Sequence, residues 1–382
     1  YIVKWCCPKC FNDDFIKGTI IENSSVGDCC YCKRRSQSVV QVNKLKPYFE
    51  RFFQIYEFEQ EGVHFAHYNP GYLVFGEDFL EEIVLNDCFP LHYLLQEDWN
   101  IFSASLTENV IKELVEDILK GYKIPYLDRM FSSSIKFGRF YENEMYYEDK
   151  KDIWSRFSKE IKNVNRFFMQ NSLQGEIVDL IKQKEIIIHE DRKFFRARIG
   201  YEEEDNKIFP YGKDKMGKPS AQLSSNGRAN PRGISYLYSA SDEDTAISEV
   251  RPWKSAIVSV IKLIPKRSLS VIDLTLTNLS SPFHSNNLRM DMELIRLLES
   301  LSNEFSKPVS PFDGDIDYLP TQYIAELIKI ENFDGFKFRS SLADGDNYVF
   351  FNEEDFEFME TSAHIIENII VKQSPLNHKN IL

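Results

Sequence analysis

Six of the seven cysteines fall within the first 32 residues, and four of them have metal-ligand spacing: Cys7-Pro8-Lys9-Cys10 and Cys29-Cys30-Tyr31-Cys32, two CxxC pairs separated by 18 residues. A CxxC turn lets two sulfurs reach one ion while backbone N–H groups point at them, and tetrahedral Zn²⁺ takes four thiolates. The spacing predicts a structural zinc ribbon with Cys7, Cys10, Cys29 and Cys32 as ligands. Such a closed site has no open position for substrate, so no catalytic role is expected of it. Cys6 and Cys30 are the spares, because pairing them spoils the two-residue spacing. Buried reduced thiols without metal are the first alternative, and a redox pair is the second.

A different series occupies the C-terminal half. Phe194-Phe195-Arg196-Ala197-Arg198 comes first, then Gly227-Arg228-Ala229-Asn230-Pro231-Arg232-Gly233 leading to Tyr238. Asp244-Thr245-Ala246-Ile247-Ser248-Glu249-Val250-Arg251 follows, and Asp334-Gly335-Phe336-Lys337-Phe338-Arg339-Ser340-Ser341 precedes a strand-like Asn347-Tyr348-Val349-Phe350-Phe351. In this order the blocks resemble the RES domain, a bacterial toxin family named for its arginine, glutamate and serine, over about Ile187–Phe358. The resemblance implies a fold related to ADP-ribosyltransferases. It also implies an enzyme that depletes NAD⁺ by cleaving the nicotinamide–ribose bond, causing growth arrest or cell death, and that an antitoxin restrains.

Cleavage of NAD⁺ passes through an oxocarbenium-like ribosyl cation, so a site needs an anion near the developing charge, a cation for the pyrophosphate and a π-surface for nicotinamide. Glu249, at a helix terminus, suits the anion; a lone glutamate there is otherwise a solvated carboxylate. Arg196 sits inside an apolar run, where a charge must be paired or face a cleft, and its forked donors suit a pyrophosphate. Arg198 shares its strand face and competes for that role. Tyr238 is expected to stack on nicotinamide or hydrogen-bond the substrate, a plain core tyrosine being the alternative. Ser340 is expected at the ribose or the nicotinamide amide, with Ser341 as its rival. Arg228 and Asn230 are candidate ligand contacts in the glycine-bearing loop.

The elements that must position these groups follow from periodicity. Runs at Phe194–Ile199, Ser235–Ala240, Ala256–Leu263, Leu269–Leu274, Phe336–Ser340 and Tyr348–Phe351 read as strands. Helical segments are expected near Asp244–Val250, Met290–Glu304 and Thr321–Ile330. From Leu45 to Gln183 the pattern is mostly helical. Ser105-Leu106-Thr107-Glu108 has the form of a capping box, with Gly121 and Pro125 as stop signals. Trp154, Phe157, Ile161, Val164 and Phe168 predict one face of a long amphipathic helix, serving as core or interface. The expected fold is multidomain α+β: a zinc ribbon at 1–46, a mostly helical middle domain at 47–185, and a mixed α/β RES domain with a C-terminal tail at 186–382. The ribbon and middle resemble the HEPN-like region fused to some RES domains. Active HEPN nucleases carry an RxxxxH pattern that this chain lacks, so a structural or sensing role is expected.

Composition narrows the function classes. At 382 residues, 43% hydrophobic and 27% charged, the chain is not of disordered composition. A net charge of −13 argues against a whole-surface nucleic-acid binder. Residues 1–46 carry +8 against −4, so nucleic acid is expected at most through the basic ribbon. No apolar run approaches the ~18 residues of a membrane span. The opening YIVKWCCPKC lacks a signal-peptide pattern, and a cytoplasmic location is expected. Gly212–Pro219 nearly matches a phosphate loop, but Pro219 cannot supply the Mg²⁺-binding hydroxyl. His284 is the sole histidine between 190 and 360, and nothing around it resembles a nucleophile elbow. ADP-ribosyl transfer to a macromolecule, or a non-catalytic zinc-ribbon interaction protein, are the rival functions. An antitoxin, a regulatory protein or a second copy of the chain is the implied macromolecular partner.

Overall fold

The computed structural model describes residues 3–58, 88–124, 130–139, 153–167, 171–277, 279–307 and 316–370. The packing separates into two units, Tyr1–Asp152 with Thr277–Ile295, and Ile153–Leu276 with Arg296–Leu382. In the first, β1 (Trp5–Cys6), α1 (Asp14–Glu22), β2 (Ser25–Gly27) and β3 (Gln37–Gln41) form the cysteine-bearing segment, whose antiparallel sheet has the order β1-β3-β2. The Asp13 side chain caps α1 by accepting from the Ile16 N–H at 2.9 Å. Then follow α2 (Lys46–Phe49), β4 (Tyr56–Phe58), β5 (Phe89–Pro90), α3 (Leu91–Trp99), α4 (Glu108–Ile118) and β6 (Lys136–Arg139).

One expectation is refined here and two are corrected. The mostly helical middle region also holds a three-stranded sheet, in which β4, β6 and β5 pair. Strands of two to four residues are too short to print a period on the sequence. The Ser105–Glu108 capping box does not form. Thr107 occupies the cap position, its carbonyl accepting from the Val110 and Ile111 N–H groups, while the Ser105 hydroxyl bonds that of Ser103. Third, the Trp154 helix stops at Asn163, leaving Val164 61% exposed. Pro125 and Phe168 lie outside the described residues. Residues on both sides of position 46, among them Val40, Phe49, Phe102 and Phe137, share one apolar core.

The second unit contains α5 (Ile153–Asn163), α6 (Asn171–Lys182), β7 (Glu185–Ile188), β8 (Phe194–Ile199), β9 (Glu202–Glu204), β10 (Lys207–Phe209), β11 (Leu237–Ala240) and α7 (Glu243–Glu249). It continues with β12 (Ile257–Pro265), β13 (Leu269–Asp273), α8 (Leu288–Ser306, from Arg296 onward), α9 (Leu319–Ile330), β14 (Gly335–Arg339), β15 (Asp346–Phe350) and β16 (Phe356–Ile365). Eight strands make a mixed sheet in the order β16-β12-β8-β11-β15-β14-β13-β7, parallel only between β13 and β14. Alternation along the strands gives it two apolar faces. Phe194, Leu237, Ile261, Val271 and Phe350 pack on one. Ala197, Ala240, Ala246, Val258 and Val260 pack on the other, where three alanines let α7 approach the strands closely.

The sheet is not uniformly laddered. Strand β8 pairs with β12 at six positions and β11 pairs with β15 at four, yet β8 meets β11 only at Phe195–Ala240. The strands stop pairing beyond that point, and the candidate site residues gather at the opening. Among the described residues, no helix is long and apolar enough to cross a membrane.

Gly335 marks the tightest crossing in this sheet. A Cβ there would lie 2.2 Å from the Val349 carbonyl oxygen and 3.1 Å from the Phe350 Cα. Gly335→Ala is therefore expected to lose at least about 1–3 kcal/mol, the range for overpacking a core. Urea unfolding should show a lower midpoint at unchanged slope, and an unaltered midpoint would refute this packing.

Candidate active site

The site is built upward from the cap of α7. The Asp242 carboxylate accepts from the Thr245 N–H at 2.8 Å, the Thr245 hydroxyl at 2.9 Å and the Ser241 hydroxyl at 2.7 Å. Partial burial acts to raise its pKa, but these hydrogen bonds outweigh it and hold the carboxyl below its usual range. Gly345 passes so near that a Cβ would come within 2.2 Å of both Asp242 and Thr245. The chain entering β15 is thereby seated against the start of the helix that carries Glu249.

Glu249 closes α7. Its Oε1 accepts from the Ser340 hydroxyl at 2.6 Å and from the Asn347 amide Nδ2 at 2.7 Å. Ser340 Oγ in turn accepts from the N–H groups of Leu342 and Ala343 at 3.1 and 3.2 Å. Its single proton is thus committed to the carboxylate and its lone pairs to a turn. Asn347 stands opposite Ala240 in the ladder, on the face that α7 covers. The other carboxylate oxygen, Oε2, makes no hydrogen bond among the described residues.

Arg196 bridges the open seam. Its Nε donates to the Met216 carbonyl at 2.9 Å and its Nη1 to the Tyr238 carbonyl at 2.8 Å, a β11 carbonyl beyond the point where β8 and β11 pair. Burial, with a contribution from neighbouring Arg198, brings its pKa down to about 10, so the guanidinium stays charged at neutral pH. Arg198 points elsewhere: it donates to the Lys215 carbonyl at 2.7 Å and lies 4.8 Å over the Tyr211 ring.

The loop before β11 is fixed from within and from α9. The Tyr238 hydroxyl donates to Asn230 Oδ1 at 2.6 Å, and burial pushes the phenol well up. The Asn230 amide donates to Ser224 Oγ and to the Ser225 and Ile234 carbonyls. Gln322, buried on α9, donates to Asn226 Oδ1 and to the Gly227 and Asn230 carbonyls. Arg228 gives one Nη1 bond to the Glu304 carbonyl at 2.9 Å and lies 5.2 Å over the Tyr318 ring.

Together these groups wall a cavity of about 520 Å³, within the ~300–1,000 Å³ usual for small-molecule sites. Of the residues expected from sequence, Glu249, Arg196, Tyr238, Arg228, Asn230 and Ser341 line it. Arg198 and Ser340 do not; Ser340 reaches the site only through Glu249. Phe195, Phe305 and Phe338 add apolar wall, and Arg251 and Lys307 add charge. Asn347 and Gln322 hold this candidate site together and were not among the residues expected from sequence. Alternation in β15 places Asn347 on the site face, and a glutamine inside the apolar run of α9 was the signal for Gln322. His284 belongs to the first unit, where its ring packs 4.4 Å from that of Phe15.

The four cysteines also converge. Sulfur separations are 4.0 Å for Cys7–Cys10, 3.4 Å for Cys7–Cys32 and 3.5 Å for Cys10–Cys29, and all four ligand atoms lie within 4.8 Å of one another. Tetrahedral bonds of ~2.3 Å set sulfurs about 3.8 Å apart, so the four thiols fit one metal ion. Cys6 lies outside the set with its thiol on the Val40 carbonyl, as does Cys30, whose sulfur accepts from the Trp5 N–H.

Comparison with known proteins yields a match to the RES domain family over residues 203–370. A solved structure, the M. tuberculosis MbcT–MbcA toxin–antitoxin complex, contains a chain 11% identical to this one, covering 50% of this chain and 92% of that chain at a TM-score of 0.30. No curated protein matches. Arg196 precedes the matched segment, whereas Tyr238, Glu249, Ser340 and Asn347 all fall inside it. Residues 203–370 are thus similar to the RES domain family, and this matched segment supplies the carboxylate that lines the cavity together with both groups that hold it.

Proposed function

We propose that this protein is a toxin that hydrolyses NAD⁺ to nicotinamide and ADP-ribose. The observation that carries the reading is Glu249, held through one oxygen by Ser340 and Asn347 at the wall of a cavity that also contains cations and aromatic rings. In the reaction the bond between ribose C1′ and the nicotinamide nitrogen breaks, and its electron pair leaves with nicotinamide. Water forms the new bond to C1′ and releases a proton. The charge that appears at C1′ is met by the outer oxygen of Glu249. Because Ser340 and Asn347 fix the carboxylate beforehand, little reorganisation accompanies the transition state. Ser340 and Asn347 are positioning residues in this scheme. Phe195, Tyr238 and Phe305 provide a surface for the nicotinamide ring.

The four-cysteine cluster is proposed to hold a structural Zn²⁺, with Cys7, Cys10, Cys29 and Cys32 as thiolate ligands and no part in the chemistry. The proposed organisation keeps a ribbon at 1–46 and a HEPN-like region at 47–185 as structural or sensing modules ahead of the RES domain. An NAD⁺-depleting enzyme must be restrained in the cell that makes it, so a protein inhibitor is the proposed partner.

Purified protein incubated with NAD⁺ should release free nicotinamide and ADP-ribose. Glu249→Gln is expected to lower the rate by roughly 10²–10³-fold, as for removal of one preorganised electrostatic group. Asn347→Ala should cost about 10–100-fold, the worth of a hydrogen bond to a charged group. Absence of release by wild type would refute the function, and ADP-ribose retained on a macromolecule would mark transfer instead of hydrolysis.

Metal analysis should find about one Zn²⁺ per chain, and Cys10→Ser should lower both zinc content and thermal stability. A folded protein without metal would overturn the ribbon assignment.

A further inference from the structure

The cavity contains more positive charge than its carboxylate requires, and its cations differ in how they are employed. Arg196 has committed Nε and Nη1 to two backbone carbonyls and bridges the strand seam. Arg228 donates to the Glu304 carbonyl and lies over the Tyr318 ring, and Lys307 is paired with the Glu304 carboxylate. Arg251 lines the same cavity, is exposed, and its side chain makes no hydrogen bond, ion pair or ring contact among the described residues.

The backbone at Arg251 is informative as well. It follows α7 with φ of 47°, a left-handed conformation in which glycine is the favoured residue after a helix. Its N–H donates to the Ser248 carbonyl at 3.0 Å, closing the helix, and Pro252 restricts the chain that follows. A guanidinium is therefore carried, at a position suited to glycine, two residues beyond Glu249 and beside the same cavity.

We propose that Arg251 is the residue that binds the diphosphate of the dinucleotide substrate, and that Arg196 is a positioning residue which braces the sheet. This rests on the NAD⁺ reading above and extends it to substrate selection. A guanidinium with all five donors available can take two non-bridging phosphate oxygens at once, whereas Arg196 has already spent two of its donors on the protein. Two residues beyond Glu249, it makes the C-terminal end of α7 the common anchor point of the group that meets the ribosyl charge and the group that holds the phosphates. The ligand class selected is a nicotinamide nucleotide bearing a diphosphate, in preference to the phosphate-free riboside.

The test compares NAD⁺ with nicotinamide riboside, which lacks phosphate. Arg251→Ala should raise KM for NAD⁺ by roughly 10–100-fold, the worth of a charge-assisted contact, with a much smaller change in kcat. The preference for NAD⁺ over nicotinamide riboside should fall by the same factor, and Arg251→Lys should recover part of it. An unchanged KM, or an equal loss on both substrates, would overturn the assignment. Calorimetric titration of ADP separates this inference from the catalytic reading, since it needs no turnover. Wild type should bind ADP and Arg251→Ala should bind it roughly 10–100-fold more weakly even if nicotinamide release is absent. Failure of wild type to bind ADP, or equal binding by the two proteins, would also overturn it.

Discussion

Everything at this site depends on two strands that stop pairing. Strands β8 and β11 share one register position and then part, exposing backbone groups that a continuous sheet would have satisfied. Arg196 satisfies part of that opening from inside, its guanidinium donating across the gap to the Tyr238 carbonyl while also holding Met216. Bonds of this kind to a charged donor are worth about 1.5–3 kcal/mol each, and a lost partner inside the protein costs a comparable amount. The sheet therefore opens with the Tyr238 carbonyl still satisfied, and a cavity forms where a ladder would have been.

The other parts of the site are fitted to that opening. Small residues on β8, β11 and α7 bring the helix close to the sheet, so that Glu249 at its end is delivered to its partners Ser340 and Asn347. The Asp242 cap with Gly345 against it fixes one end of α7, and the Glu249 contacts fix the other. Gln322 and Asn230 perform the corresponding task for the loop that forms the opposite wall. The chain spends its buried polar groups on holding backbone in place, and the groups left facing the cavity are comparatively few.

Much of the C-terminal half was legible in the sequence, for reasons that particular residues make plain. Strand β8 spans Phe194–Ile199 as its apolar alternation indicates, and α7 and α9 start and stop within two residues of their periodic patterns. Arg196 was visible as a charge in an apolar run; its structure shows that it is both paired and at a cleft, which the sequence offered as alternatives. Ser340 and Ser341 were indistinguishable because neighbours at a strand end point opposite ways, and only coordinates assign one to Glu249 and the other to the cavity. Asn347 and Gln322 left only the weak mark of a polar residue in an apolar run, and the three-stranded sheet of the first unit left none, because strands of two to four residues carry no period.

The distance along the chain between Glu249 and its two partners has a consequence for biosynthesis. Ser340, just past β14, lies 91 residues later, and Asn347, on β15, lies 98 residues later. A nascent chain emerging from the ribosome cannot orient this carboxylate until β14 and β15 have been synthesised and paired. A truncated translation product ending before Asn347 lacks half of the carboxylate's support, so interrupted synthesis does not yield an assembled site. Dependence on late, long-range pairing thus delays assembly of the site until β15 exists.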